Sequence, residues 1–346
     1  MSKKTATEWY KKSGAEGDAV ISTRIRLARN LKKYPFPCRL NPEQKKQITR
    51  EVKAAILDNP SALTDRFQYI DMETIGDVES VSLVERHLVS PEFISNREGR
   101  GLLLLDDESV SIMMNEEDHI RMQVMGEGLQ LEALYDTANR MDTLLDERLT
   151  FAFHEELGYL TQCPTNLGTG MRASLMLHLP ALQESGSLPR IAGGLSKIGL
   201  TIRGMYGENS EPKGALYQLS NQVTLGLSEE TALENLKGIA MQLVGQERSA
   251  REALLKNVQI EDSIWRSLGI LKNARRLEAG EFMTLVSRLR LGVSCGLIHD
   301  VSLDQLNQLM VEAQPATLLS LSGGKSDPEE REILRARRVR ELLENV

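Results

Sequence analysis

The sequence predicts an α+β fold, an antiparallel sheet flanked by helices, followed by an all-helical C-terminal domain. Three observations carry that expectation. Apolar extended runs are joined by short turns, most clearly Gly101 to Leu105 and Val110 to Met114 around the acidic turn Asp106-Asp107-Glu108. The strand-helix-strand alternation of a parallel sheet is not seen. After about residue 255 strand signals stop and helical patterns succeed one another.

Taken in order, Ser22 to Arg29 reads as a strand, and Arg24 and Arg26, two apart, leave the same face of it. Asn41-Pro42-Glu43 supplies an N-cap, a proline at the first helical position and an acid in the first turn, and Ile48, Val52, Ala55 and Ile56 continue at helical spacing. The hairpin of residues 101–114 runs into Asn115-Glu116-Glu117-Asp118-His119. Leu131, Leu134, Ala138, Met141 and Leu145 predict a long helix across one sheet face. Strands are expected at Arg172 to Leu179, Gly199 to Arg203 and Ala215 to Leu219, the last two joined by a glycine-rich loop from Gly204 to Gly214 that should be mobile. Ser228 caps a helix carrying Leu233, Leu236, Ile239, Ala240 and Leu243 on one side. Helices then follow at Ile260 to Arg276, Glu281 to Leu291, Ser302 to Ala313 and Pro328 to Leu343, with a hinge at Ser320 to Gly324.

The 346 residues give room for two domains with a sizeable core. With 49 acidic against 42 basic side chains, the formal charge of -7 argues against a general nucleic-acid binder. No apolar run approaches the roughly 20 residues of a membrane helix, and the lysine-bearing N-terminus lacks the apolar core of a signal peptide. Cys38, Cys163 and Cys295 are odd in number and widely spaced, which fits a reducing compartment. The expectation is a cytoplasmic protein.

Four segments could carry chemistry. Two guanidinium forks at Arg24 and Arg26 suit a polyphosphate, although a solvated strand face would look alike. Glu116-Glu117-Asp118 beside Arg121 could hold a cation or be only an acidic turn. Cys163-Pro164-Thr165-Asn166-Leu167-Gly168-Thr169-Gly170-Met171-Arg172 places a thiol ahead of a polar loop. In the loop after Arg203, Glu208 stands in a lid-like stretch that could equally be a connector.

Together, in this order, these strings resemble the phosphagen kinases, the ATP:guanidino phosphotransferases, over roughly residues 18–250. Asn-Glu-Glu-Asp-His-x-Arg and Cys-Pro-Thr-Asn-Leu-Gly-Thr are the specific ones. Within the family the protein-directed arginine kinases of bacteria are nearest. Small-substrate members carry a helical domain ahead of the first arginine motif, which here begins at Ser22, whereas residues 256–346 resemble the helical domain of the protein-directed branch.

The resemblance implies γ-phosphoryl transfer from ATP to arginine side chains of proteins, with a kinase for free arginine or a non-catalytic adaptor as alternatives. It implies Glu117 as general base, Glu208 as second carboxylate and Cys163 beside the guanidino group. ATP would meet Ser22, Thr23, Arg24, Ile25 and Arg26, then His87, Arg121, Arg172, Ala173, Ser174, Leu175 and Met176, and finally Arg203, Gly204, Met205, Tyr206, Gly207 and Glu208. Mg²⁺ would ride mainly on nucleotide oxygens and water, without a protein metal site. Arg331, Glu332, Arg335 and Ala336 resemble a phosphoarginine-binding motif, with Glu332 in place of an Asp; a salt-bridged exposed helix is the plainer alternative. The implied partners are protein substrates with exposed arginines, a zinc-binding activator, a heat-shock repressor, a Clp ATPase and a second copy of the chain.

Overall fold

A computed structural model describes residues 7–58, 63–204, 213–323 and 327–344. The chain runs through β1 (Val20–Arg29), α1 (Pro42–Leu57), β2 (Phe67–Asp71), α2 (Asp77–Glu85), α3 (Pro91–Ser95), β3 (Gly101–Leu105), β4 (Val110–Met114), β5 (Ile120–Glu127) and α4 (Leu131–Leu149). A two-stranded hairpin, β6 (Phe153–His154) and β7 (Gly158–Tyr159), leads to β8 (Met171–His178), α5 (Pro180–Glu184), α6 (Leu188–Ser196), β9 (Leu200–Gly204) and β10 (Leu216–Asn221). Helices complete the chain: α7 (Glu229–Leu254), α8 (Val258–Asn273), α9 (Ala279–Ser294), α10 (Leu303–Glu312), α11 (Pro315–Ser322) and α12 (Pro328–Glu344).

Eight strands form one antiparallel sheet in the order β2-β3-β4-β5-β1-β8-β10-β9, so the arginine-bearing β1 lies at its centre. Alternation along the strands divides its two faces. Ile25 and Leu27 of β1, Met122 and Val124 of β5, and Ala173, Leu175 and Leu177 of β8 join one core with α1, α4 and α7. Asn41 and Gln44 close a capping box on α1, and Ser228 accepts from the Thr231 N–H to start α7, as their sequence signatures predict.

The other face carries the polar band of the site, flanked by two further clusters. Trp9, Tyr10, Leu83, Leu88, Phe93, Leu102, Met113 and Met125 form one. The C-terminal helices form the second around Ile264, Phe282, Val286, Leu289, Leu306 and Val339, and Leu216 of β10 belongs to it. The helical region therefore packs on the sheet. Glu85 at the end of α2 accepts N–H bonds from Ala316 and Thr317, at 3.0 and 2.7 Å, which holds the start of α11. Buried Arg290 donates to the carbonyl of Gly17 and the side chain of Asn307, both at 2.7 Å.

Several elements are not foreseen from the sequence: β2, α2, α3, α5, α6 and the β6-β7 pair. The expected hinge at Ser320 to Gly324 begins inside α11, which ends at Gly323 with φ of 68°, a left-handed conformation that glycine adopts without a Cβ penalty. No helix among the described residues is long and apolar enough to cross a membrane.

Candidate active site

The ladder assembles the site by register. Gln123, Arg26 and Arg172 form one cross-strand row over β5, β1 and β8, and Met125, Arg24 and Ser174 form the next. Arg121 lies beside Ala28, and Met176 is opposite Gln218 of β10. Because side chains alternate, the even-numbered positions of β1, β8 and β10 and the odd-numbered positions of β5 share the polar face. Thr23, Ile25, Ala173 and Leu175 point to the helix-covered face, where all are buried, so they frame the site through their backbone.

The arginine band is held with its charges in conflict. Arg24 donates to Gln218 at 2.9 Å and to Ser174 at 3.4 Å. Burial, with the Arg121 charge, pulls its pKa down to about 10. Arg26 is lowered further by burial and by Arg24, Arg121 and Arg172, and its buried Nε has no hydrogen-bond partner among the described residues. Arg121 is bound by Glu116 at 2.6 Å. Burial pushes the Glu116 carboxyl up, but Arg121 and Ser90 outweigh it, so the group stays ionised below the usual carboxylate range.

At one end of the band, Glu117, Asp118, Cys163, Thr165, Asn166, Arg26, Arg121 and Arg172 line a cleft of about 230 Å³. Glu117 sits in the turn between β4 and β5, and Asn166 donates to its carboxylate at 3.4 Å. Asn166 also accepts from Arg172 Nε at 3.0 Å, so one amide orients a carboxylate and a guanidinium together. Cys163 Sγ lies 3.1 Å from Thr165 Oγ1, and the same hydroxyl accepts from Arg172. Asp118 is already engaged: one carboxylate oxygen accepts from Asn30 at 2.6 Å and from the Gln162 N–H at 2.7 Å, and burial raises its pKa.

In the middle, Arg24, Arg26, Arg121, Gln123 and Gln218 face a trough of about 440 Å³ with His87 and Ser90. His87 has φ of 62°, and burial, aided by Arg24, lowers its pKa to about 4, so it is neutral at pH 7. Beyond Arg24 the band meets a small cavity of about 80 Å³ lined by Trp9, Tyr10, Ser22, Ser174, Met176 and Leu216, with Asn307, Met310 and Val311 of α10 as its far wall.

Among the sequence candidates, Ser22, Arg24, Arg26, His87, Glu117, Arg121, Cys163, Arg172, Ser174 and Met176 are thus gathered along one surface. Arg203, on edge strand β9 opposite Gln218, is exposed, with Gly204 next to it at the strand's end. Met205, Tyr206, Gly207 and Glu208 lie outside the described residues. Arg331, Glu332, Arg335 and Ala336 are on α12, away from this cleft. There Arg335 is a buried staple donating to the carbonyls of Ala313 and Leu277, both at 2.8 Å, while Glu332 accepts from Arg276 and Ala336 is buried. Glu116 and Asn166 stand in the sequence only as members of their strings, with no role of their own, and Gln218 and the α10 wall are not marked there; strand period two could have flagged Gln218, but nothing local marks Trp9 or Met310.

Among the described residues no group of three His, Cys, Asp or Glu side chains could hold a metal ion. The guanidinium and amide donors present fit the polyanion of a nucleotide.

Residues 47–250 match the family model described as ATP:guanido phosphotransferase, C-terminal catalytic domain, and residues 257–346 match that of the protein-arginine kinase McsB C-terminal domain. The protein-arginine kinase of Halothermothrix orenii is 46% identical over 98% of this chain and 97% of its own length. That of a Geobacillus species is 44% identical over 97% and 94%. Among solved structures, the duplicated taurocyamine kinase of Schistosoma mansoni with bound transition-state-analogue components superimposes with a TM-score of 0.61 at 30% identity, over 71% of this chain and 34% of that one. Lombricine kinase, 23% identical over 72% and 73%, shares the fold with a TM-score of 0.62. An arginine-lined trough ending in a carboxylate and a thiol, the two family strings that build it and these matches lead to one conclusion: the chain belongs to the ATP:guanido phosphotransferase family.

Proposed function

We propose that this protein is an ATP-dependent protein-arginine kinase, with residues 18–250 as the catalytic domain and residues 256–346 as a domain for protein contact, dimerisation and phosphoarginine sensing. The observation that carries this reading is the polarity of the cleft. A band of guanidinium groups suited to phosphates ends in Glu117 and Cys163, which suit a guanidinium.

Arginine's guanidinium, with a pKa above 12, is a poor nucleophile. Glu117, oriented by Asn166, binds the fork and takes a proton from the attacking nitrogen as the N–P bond forms and the bond from the γ-phosphorus to the ADP oxygen breaks. Cys163 packs against the same group and orients it, with Glu208 as a second carboxylate. Arg24, Arg26, Arg121, Arg172 and Arg203 neutralise the transferring phosphoryl group and the departing ADP. Mg²⁺ on the nucleotide adds charge neutralisation when bound. The small apolar cavity beside Arg24 takes the nucleoside, with Ser22, Ser174, His87 and Met176 around it.

Arg331 and Glu332 are the part of the α12 motif that would meet phosphoarginine, with Arg335 and Ala336 as its frame. The family resemblance supports a cytoplasmic role in stress response, acting on a heat-shock repressor under a zinc-binding activator and tagging proteins for a Clp ATPase.

The test is transfer from radiolabelled ATP to an arginine-rich unfolded protein, with free arginine in parallel and Glu117→Ala as control. Acid-labile label on protein, absent in the variant, supports the reading. Label on free arginine alone overturns it in favour of a small-substrate kinase.

A further inference from the structure

Next to the guanidino end lies a feature the transfer chemistry does not use. The β6-β7 hairpin puts Phe153 57% and Leu157 40% exposed, and across Gly168 the segment after β10 exposes Val223 and Leu225 at 45% and 47%. Isolated exposed apolar side chains are ordinary; four on two segments that meet at one residue are a patch. Gly168 makes that meeting possible. At φ of 107° it bridges to Gly158 and Tyr159, and a Cβ there would come within 2.1 Å of the Thr224 carbonyl.

The patch is rigidly tied to the cleft. Tyr159 N–H donates to the Gly168 carbonyl at 2.8 Å, Thr169 N–H to the Thr224 carbonyl at 2.9 Å, and Thr224 Oγ1 to the carbonyls of Leu167 and Thr165. Those loop residues belong to the same turn as Cys163, Thr165 and Asn166, which line the cleft. Phe153 stacks edge-on against Tyr159 at 5.2 Å, and the Arg29 guanidinium lies 3.5 Å from the Tyr159 ring, so the hairpin base is fixed while its tip is open. At that tip Glu155 and Glu156 are exposed beside Leu157.

We infer that the β6-β7 hairpin and Val223 to Leu225 are a docking surface for an extended, arginine-bearing segment of the acceptor protein. It receives apolar side chains next to the target arginine, while Glu155 and Glu156 attract the segment's positive charge. The inference rests on the protein-arginine reading and deepens it. Two arguments select this occupant: the patch is continuous with the wall that holds Cys163, and its carboxylates complement a cationic chain. A folded surface presents few contiguous apolar residues beside an arginine; an unfolded segment presents both.

The test uses the full chain and two fluorescein-labelled peptides of equal charge, one with leucines flanking its arginine and one with serines. Anisotropy reports binding, and phosphoryl transfer is measured in parallel. The wild type should bind the leucine peptide about tenfold more tightly. Phe153→Ser with Leu157→Ser should abolish that preference, raising KM for the leucine peptide while kcat and the KM for ATP stay unchanged. Glu155→Gln with Glu156→Gln should weaken both peptides equally and flatten the salt dependence. Equal binding of the two peptides by the wild type, or a preference that survives the serine variant, overturns the docking surface. Binding with that pattern but no transfer to either peptide supports the surface and instead counts against the kinase reading.

Discussion

Arg26→Met should make the ligand-free protein more stable while destroying its response to nucleotide. In the wild type, Arg26 is packed among Arg24, Arg121 and Arg172, and its Nε is a buried donor without a partner among the described residues. A buried unsatisfied donor costs about 1–3 kcal/mol, and Met keeps most of the apolar stem while removing both the orphan and the like charge. For a chain of this size 1 kcal/mol is worth about 2 °C, so the ligand-free variant should melt about 2–6 °C higher. Burial and the neighbouring arginines hold the Arg26 pKa well below the ordinary arginine value, so the folded state binds the proton less well than the unfolded state. The penalty is therefore fully present below the folded pKa and fades as pH rises through it. With saturating tripolyphosphate or ADP the order should reverse, because a ligand at 100 times its Kd adds about 2.7 kcal/mol to the wild type alone. Differential scanning fluorimetry with and without ligand reads both effects. A ligand-free variant that melts below the wild type, or a wild type indifferent to tripolyphosphate, would refute the reasoning.

Glu117→Gln preserves shape but cannot accept the proton, so single-turnover transfer should slow by about 10²–10⁴ while ADP affinity, measured by calorimetry, is unchanged. Asp142→Ala strands the Arg29 guanidinium, which Asp142 binds at 2.8 and 3.0 Å in a buried pair. It should cost about 3–5 kcal/mol by urea denaturation, and because Arg29 also holds the Thr169 carbonyl at 3.0 Å, activity should fall before the fold does. Of the two tryptophans, Trp9 lines the small apolar cavity proposed for the nucleoside and Trp265 is half-exposed on α8. ADP should therefore change the emission of Trp265→Phe and leave that of Trp9→Phe unaltered.

What could be read in advance follows the range of the interactions. The two-residue spacing of Arg24 and Arg26, the hairpin of residues 101–114 and the caps at Asn41 and Ser228 are decided within a few residues, and the structure has them where their patterns put them. The identity of β1 as the central strand is not local: it depends on pairing with residues about a hundred positions away on β5 and about a hundred and fifty away on β8. The same limit hid Asn166 as the link between Glu117 and Arg172, and α10 as a wall of the small apolar cavity. Arg335 shows the converse. Its charge-rich neighbourhood suggested a solvated or ligand-binding face, yet two backbone carbonyls of separate segments bury it.

The two ends of the cleft are built on different principles, and the difference bears on what the acceptor can be. The end beside Arg24, proposed for the nucleoside, is walled by tertiary structure: Trp9 and Tyr10 from the N-terminal segment and Met310 and Val311 from α10 leave a cavity of about 80 Å³. The end at Glu117 and Cys163, among the described residues, is bounded by the turn between β4 and β5 and by the short turn at Pro164–Asn166. Enclosure pre-organises a small, invariant ligand at little entropic cost on binding. An open rim with fixed polar groups at its floor admits one side chain of a large molecule while the rest remains outside. Gly158 and Gly168 reinforce that arrangement, since a Cβ on either would collide with the other segment's backbone or with Thr224. The hairpin is thereby held close against the loop that follows Cys163. A Gly168→Ala variant, strained at φ of 107° and blocked by the Thr224 carbonyl, would have to lift the hairpin, which would impair the acceptor side of the reaction ahead of the nucleotide side.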